Sequence, residues 1–424
     1  MKDQEQTTST PNLKRIKLAI IAPTPFYYQV PMFRTLAANP RIDLKVYYCS
    51  DEGITGKDVP KKFHAQANWG MESNLLEGYE SVFLKNYSPW PSYLTSLFGL
   101  MNLGVWHTVA SEKPDVVILM SWMNSTWWLA ILACLWAKIP FLYLTDQNVQ
   151  RDLIAPKWKI RIKQLVLGKL LFRMTAGFLF AGSANRQLYK YYGVPDHKLV
   201  PFAFSWGYDN LLNISDDLLL KKSQIKSQLG IPEDQYVVLY CGRLSAEKNP
   251  ALVLEAFSKI DRPDKTLLFV GDGLLRKQLE AYVSEKGITS VRFMGFQTRP
   301  EIPKYYAVSD VLVVPSIQET WGIVVNEAMC FGLPLVISDQ VGAVPDLVSS
   351  GRNGFKFPSG DADALASIIT GMMDQDTKSR SEMGSHSRRI IEKWAQKDLA
   401  GTLEQYYDRI TGSDGLNETG QANP

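Results

Sequence analysis

The sequence predicts an α/β protein of two doubly wound domains that face a central cleft. Three observations carry this reading. Apolar runs of strand length recur along the chain without polar alternation, as strands covered on both faces require. Helical patterns separate most of them. The series then repeats, more regularly, in the second half. Dividing 424 residues by about 150 per domain suggests nearly three domains, but the pattern groups into two of roughly 200 residues each.

In the first half the strand candidates are 16–22 (IKLAIIA), 44–49, 82–85, 115–119, 141–144 and 178–181. In the second they are 236–241, 266–270, 291–294, 311–314, 333–337 and 354–357. Asn249 followed by Pro250 opens a helix over 250–259, because Asn caps the first free amides and Pro suits the first helical position. Asp361 opens another over 362–373, and Gly351 stands where a cap after a helical 347–350 belongs. A further helix is expected over 274–286. The apolar stretch 126–144 approaches the length of a membrane span. Lys138 and Pro140 interrupt it, however, so it reads as a buried helix over 127–137 followed by the strand 141–144. The polar stretch 213–230 lacks a strand and places the boundary near 206–233. The expected organisation is a disordered tail 1–14, a first domain 15–210, a linker 211–233 and a second domain 234–395. A helix over 396–411 is expected to pack back on the first domain, ahead of a disordered tail 412–424.

Composition narrows the class. With 46% hydrophobic and 21% charged residues, the chain is neither disordered nor collagen-like nor a coiled coil. A net charge of +3 does not point to nucleic acid. Cys49, Cys134, Cys241 and Cys330 lie far apart, so a disulfide framework or structural zinc site is not expected and a reducing compartment fits. The first 14 residues have no apolar core of a secretory signal, and a cytoplasmic protein is expected. The 11 Trp, 19 Tyr and 18 Phe form an unusual aromatic load.

Three strand ends carry candidate chemistry. After 236–241 come Gly242, Arg243 and Lys248, just before a helix. Loops at the carboxyl ends of parallel strands bind ligands, and two cations beside a helix N-terminus suit a diphosphate; the alternative is a pair of ordinary surface charges. After 266–270 comes Gly271-Asp272-Gly273, for which a tight strand-to-helix turn is the favoured reading over a dinucleotide site. After 311–314 come Glu319, Thr320, Trp321 and Gly322, then a helix carrying Glu327 among Ile323, Val324, Val325, Ala328 and Met329. An acid in such surroundings needs a partner. Carboxylates accept hydrogen bonds from vicinal sugar hydroxyls, and the amides of 320–322 suit anionic groups; a salt bridge to a neighbouring helix is the alternative for Glu327.

This arrangement resembles the retaining family-4 glycosyltransferases of GT-B fold. Gly242, Arg243, Lys248, the Gly271-Asp272-Gly273 turn, and Glu319 and Glu327 with seven residues between them carry the likeness. Gly332-Leu333-Pro334 and Gly342 before Val344-Pro345-Asp346 extend it, so that it covers roughly 236–365. The resemblance implies that Arg243 and Lys248 bind the diphosphate of a sugar nucleotide and stabilise its departure. It implies that Glu327 accepts the ribose hydroxyls, Glu319 the hydroxyls of the donor sugar, and that the Trp321 and Gly322 amides face sugar or phosphate. Phe296 and Gln297 would lie beside the base, a plain strand-to-loop exit being the alternative. A glycan or lipid-linked acceptor is implied on the first domain, with no cofactor or metal. Asp361-Ala362-Asp363 has the look of a metal-binding D-x-D, but its place at the start of a helix favours capping. An epimerase or a glycosyl phosphorylase of the same fold, or a non-catalytic sugar-nucleotide binder, are the alternatives.

The first half departs from the family pattern. Pro23-Thr24-Pro25-Phe26-Tyr27-Tyr28-Gln29 replaces a glycine-rich loop, and Thr145-Asp146-Gln147-Asn148 stands where relatives place a histidine. His64, His107, His197 and His386 match no such position. Residues 157–173, rich in Lys and Arg and carrying Trp158, Leu165, Leu170 and Phe172, fit either an anionic membrane surface or a domain helix with a solvated basic face. The resemblance favours the former, peripheral to the inner face of the membrane. Aromatic clusters at 87–93 and 121–128 fit the acceptor side or, more commonly, the core.

Overall fold

The structure is a computed structural model that describes residues 14–55, 74–92, 97–153, 156–203 and 207–412. His64, Tyr93, Trp206 and most of both tails lie outside the described residues. The first domain holds a seven-stranded sheet of β1 (Ile16–Ala22), β2 (Ile42–Tyr48), β3 (Glu80–Phe83), β4 (Val116–Leu119), β5 (Phe141–Leu144), β6 (Gly177–Phe180) and β7 (Leu199–Pro201). Its order is 3-2-1-4-5-6-7. The second domain repeats the scheme with six strands: β8 (Tyr236–Cys241), β9 (Lys265–Val270), β10 (Val291–Gly295), β11 (Val311–Val314), β12 (Leu335–Ser338) and β13 (Gly354–Phe357), in the order 10-9-8-11-12-13. All pairings are parallel; Leu18 opposes Leu44 and Val116, and Leu239 opposes Leu268 and Leu312.

The uninterrupted apolar runs follow from this burial. Along β1, Leu18 and Ile20 enter one core while Ala19 and Ile21 enter the core on the opposite face. Along β8, Val237 and Leu239 face one way and Tyr236, Val238 and Tyr240 the other. The cluster that holds Leu18 and Ile20 also contains Val237 and Leu239, so one buried cluster runs through both domains.

Several local expectations are corrected. The stretch 211–233 is no open linker: helices Tyr208–Leu220 and Lys222–Gln228 pack against the helix Ile302–Val308 of the second domain. β12 starts at Leu335 rather than at residue 333, because Pro334 has no amide to give the ladder and the Leu333 amide closes the preceding helix on Ala328 O at 3.1 Å. The helix before Gly351 ends at Leu347, which leaves Gly351 in a turn leading to β13. β7 is only three residues long and was not expected. The apolar stretch 126–144 divides into the helix Ser125–Ala137 and β5, and among the described residues no helix is long and apolar enough to cross a membrane. Residues 157–174 form an α-helix Lys157–Lys163, a π-helical segment Gln164–Leu171 and a last turn Phe172–Met174.

The helix Leu399–Thr411 lies on the first domain. Arg41 reaches Asp408 at 2.6 Å and Glu404 at 3.1 Å, and the Tyr406 hydroxyl donates to Ala176 O at 2.7 Å.

Candidate functional site

Strand order reverses between β8 and β11, the place where open α/β sheets bind ligands in a crevice at the strand ends; here the two loops also touch, the Ile317 amide donating to Glu247 O at 3.0 Å. The β8 loop delivers Lys248 and the β11 loop Glu319, and the two side chains form an ion pair across this point. Both are mostly buried, with side-chain exposures of 21% and 15%. Arg243, on the same β8 loop, is more exposed and lies 3.4 Å from Glu247.

The β11 loop is held on several sides. Glu319 forms an isolated parallel bridge with Val341; its carbonyl accepts from the Gly342 amide at 3.1 Å, and the Trp321 carbonyl accepts from Ala343 at 3.0 Å. Asn148, from the first domain, donates to the carbonyls of Glu319 at 3.0 Å and Thr320 at 3.4 Å. Gly322, at φ +94°, turns the chain into the helix Ile323–Cys330. The Trp321 side chain is structural: it is buried, donates from Nε1 to Asn326 at 2.9 Å and packs 5.5 Å from Trp394.

Glu327 follows one turn into this helix, its side chain 13% exposed. Its partner is the Tyr306 hydroxyl at 2.7 Å, with the Arg299 guanidinium at 3.8 Å. The same hydroxyl lies 3.7 Å from Cys241 Sγ at the end of β8, which sets Glu327 beside the start of the Gly242 loop. Burial, reinforced by the nearby Glu327 carboxylate, pushes the Cys241 thiol up to about 12. Arg299 also stacks on Tyr27 of the first domain, 4.3 Å from the ring centre. Neither Arg299 nor Tyr306 was singled out from the sequence. Arg299 closely follows the Phe296-Gln297 segment, a proximity that offered some signal; Tyr306 sits in an apolar helix and offered none.

The glycines serve backbone packing. The amides of Gly242 and Gly271 donate to Val270 O and Gly295 O at 2.9 and 2.8 Å, so the ends of β8, β9 and β10 are laced together. A Cβ on Gly271 would stand 2.0 Å from Gly242 O, and one on Gly273 would stand 2.4 Å from Leu244 O. The favoured reading of Gly271-Asp272-Gly273 as a tight turn therefore has a steric cause. Phe296 is 43% exposed just beyond β10, two strands from β8.

The first domain contributes the loop after β5. Asp146 is half-buried there, and burial, with the Glu319 carboxylate adding to it, raises its pKa above the ordinary aspartate value. A second bridge between the domains lies nearby: the Ser183 amide and hydroxyl donate to Asp346 at 2.8 and 2.7 Å. The Asp361-x-Asp363 pair divides its duties. Asp361 accepts from the Ala364 amide at 2.8 Å as a helix cap, and Asp363 pairs with Lys259 at 2.8 Å. Of the aromatic clusters, Trp127 is wholly buried in the core, whereas Tyr87 and Trp90 are 52% and 76% exposed.

Comparisons with known proteins bear on the fold. Residues 221–390 match the family described as glycosyl transferases group 1. A sulfoquinovosyl transferase of Arabidopsis thaliana is 34% identical over 192 residues, covering 44% of this chain and 36% of the relative. An alpha-D-kanosaminyltransferase of Streptomyces kanamyceticus is 30% identical over 174 residues, covering 40% and 44%. The chain thus spans less than half the length of these relatives. Solved structures match over nearly the whole chain. The Anabaena protein HepE, in complex with UDP, superposes with a TM-score of 0.70 at 19% identity, covering 94% of this chain and all of that one. WaaG, a glycosyltransferase involved in lipopolysaccharide biosynthesis, does so with a TM-score of 0.58 at 18% identity, covering 93% and all. Two parallel sheets and these superpositions make this a two-domain protein of the GT-B glycosyltransferase fold.

Proposed function

We propose that the protein transfers a sugar from a nucleotide-diphosphate sugar to a glycan or lipid-linked acceptor, with retention at the anomeric carbon and without a metal ion. The observation that carries this reading is the Lys248–Glu319 pair at the strand-order reversal, with Glu327 on the helix that follows. The match of residues 221–390 to glycosyl transferases group 1, and the UDP and UDP-glucose held by HepE, support a sugar-nucleotide donor.

In this scheme the diphosphate competes with Glu319 for Lys248, and Arg243 joins it from the same loop. Two cations neutralise charge that develops as the diphosphate leaves, a role that often falls to a divalent metal. Fixed donors aimed at developing charge are worth about 10²–10³ in rate each. Glu319, released from Lys248, accepts hydroxyls of the donor sugar. Glu327, fixed by Tyr306, accepts the ribose hydroxyls. The backbone of 320–322 lines the sugar or phosphate, and Phe296 lies toward the base.

A nucleotide-sugar panel followed by thermal shift identifies the donor, since ligand at 100 times its Kd stabilises the fold by about 2.7 kcal/mol. Transfer to a lipid extract or an oligosaccharide is then measured with and without EDTA. Arg243→Ala and Glu327→Ala are expected to lower kcat/KM by about 10²-fold or more, and EDTA to change nothing. Variants that transfer sugar as well as wild type would overturn the site. Sugar isomerised without acceptor would indicate an epimerase, phosphate-dependent cleavage a phosphorylase, and binding without turnover a sugar-nucleotide receptor.

A further inference from the structure

Two loops from different domains meet beside Glu327. The carboxylate accepts a hydrogen bond from the Tyr306 hydroxyl on Oε2 at 2.7 Å, and its Oε1 faces the Arg299 guanidinium at 3.8 Å. Hydrogen bonds from nitrogen to oxygen end near about 3.2 Å, so the Arg299 contact is an ion pair without a hydrogen bond. Oε1 therefore keeps its lone pairs for a ligand, as recognition of neighbouring hydroxyls requires. The gap has a cause. An arginine free to approach a carboxylate closes to about 2.7–2.9 Å and engages both oxygens.

Arg299 is held on its other side. Its guanidinium lies over the Tyr27 ring, 4.3 Å from the centre. Tyr27 belongs to the loop after β1, where the order of the first sheet reverses between β1 and β4. The ring is braced by its neighbours: it stands edge-on to Tyr28 at 5.5 Å, and Tyr28 stacks on Phe26 at 5.3 Å. Tyr28 packs against the core that runs through both domains, and the Gln29 amide closes the turn on Phe26 O at 2.9 Å. A fixed ring thus anchors a cation that would otherwise fold onto Glu327.

We propose that Tyr27 is a positioning residue for nucleotide binding: by holding Arg299 off Glu327, it keeps that carboxylate open to the ribose of the donor. The first domain then takes part in recognising the donor through a side chain that does not touch it. Arg299 supplies positive charge beside Glu327 and leaves Oε1 to the ligand. Without the ring the guanidinium closes on Glu327 and competes with the ribose hydroxyls for the same lone pairs. The inference rests on the ribose role given to Glu327 above, and the two can fail separately.

Calorimetric titration of the full chain tests the proposal. UDP, GDP and ADP are compared first, and the tightest of them is then titrated beside its 2′-deoxy form. Wild type is expected to favour the ribose form about tenfold or more, since the deoxy form leaves a charged acceptor unpaired. Tyr27→Ala is expected to weaken the ribose form about fivefold, the scale of a cation held over a ring, and to bring the two forms together. Tyr27→Phe keeps the ring and should bind as wild type does. In an Arg299→Met background Tyr27→Ala should change nothing further, because the competing cation is gone. Both ligands are titrated against the same variant, so any loss of folded protein cancels in their ratio. A wild-type ratio in Tyr27→Ala would overturn the proposal. So would an equal effect of Tyr27→Ala in the Arg299→Met background, which would mark the ring as structural only. A wild type indifferent to the 2′-hydroxyl, or a ratio unchanged in Glu327→Ala, would overturn the ribose reading itself and the proposal with it, as would no binding of any of the three nucleotides.

Discussion

Asp146 and Glu319 approach the crevice from different domains, and neither has left water completely. Burial and the Glu319 charge together favour the protonated form of Asp146. A carboxyl whose pKa rises on folding binds protons more tightly in the native state. The fold therefore bears a cost above that raised pKa, and the cost disappears as pH falls through it. Asp146→Asn removes the charge at nearly constant shape. It is expected to raise Tm at pH 7.5 and to raise it less at pH 4.5, measured by scanning calorimetry. An equal change at both pH values would show that the charge is not the source. Lys248 and Glu319 differ in kind, since opposite charges satisfy each other until a ligand separates them. That pair was legible as two residue types on two loops; its contact was not, because local spacing says nothing of how far apart β8 and β11 end.

Among the elements, the helix Ser183–Tyr191 of the first domain receives its N-terminal acceptor from the second. Asp346 takes hydrogen bonds from the Ser183 amide and hydroxyl, as a capping carboxylate normally would from within its own chain turn. Gly182 leaves the room, since a Cβ there would stand 2.4 Å from the Trp321 ring. Asp346→Ala is expected to cost about 1 kcal/mol of stability and to raise KM for the donor more than it lowers kcat. Asp361→Ala, which uncaps a helix within the second domain alone, should cost about the same and leave KM unchanged. The contrast between the two variants is the measurement. Elements with a strong internal signal were readable: β1, β5, β8, β11 and the helix Ala362–Met373 lie where apolar runs and the Asp361 cap place them; the helix Pro250–Lys259 starts at its proline, but Asn249 before it is left-handed, at φ +49°, and makes no capping hydrogen bond. The helices Tyr208–Leu220 and Lys222–Gln228 read as a linker in the sequence because their polar residues outnumber a narrow apolar stripe whose partner is distant in sequence. The π-helical segment Gln164–Leu171 carries no local mark that separates it from an α-helix.

Across the whole molecule, the chain crosses between domains twice, before Tyr208 and again before Leu399. The returning helix is tied down by Arg41, whose guanidinium is only 15% exposed between Glu404 and Asp408. Arg41→Ala would leave two carboxylates facing each other with little solvent, at a cost of about 3 kcal/mol; chemical denaturation, read as a lower midpoint, checks this. The return crossing also governs the order in which the protein can be made. Leu399, Ala400, Leu403 and Tyr406 complete a core begun by Leu18 and Ile20, yet the ribosome adds them only after the entire second domain. At about 5–20 residues per second, the nascent first sheet waits on the order of 10–40 s with that flank uncovered. Its apolar edge is thus open to chaperones until the last helix emerges, while the second domain can close its own sheet first.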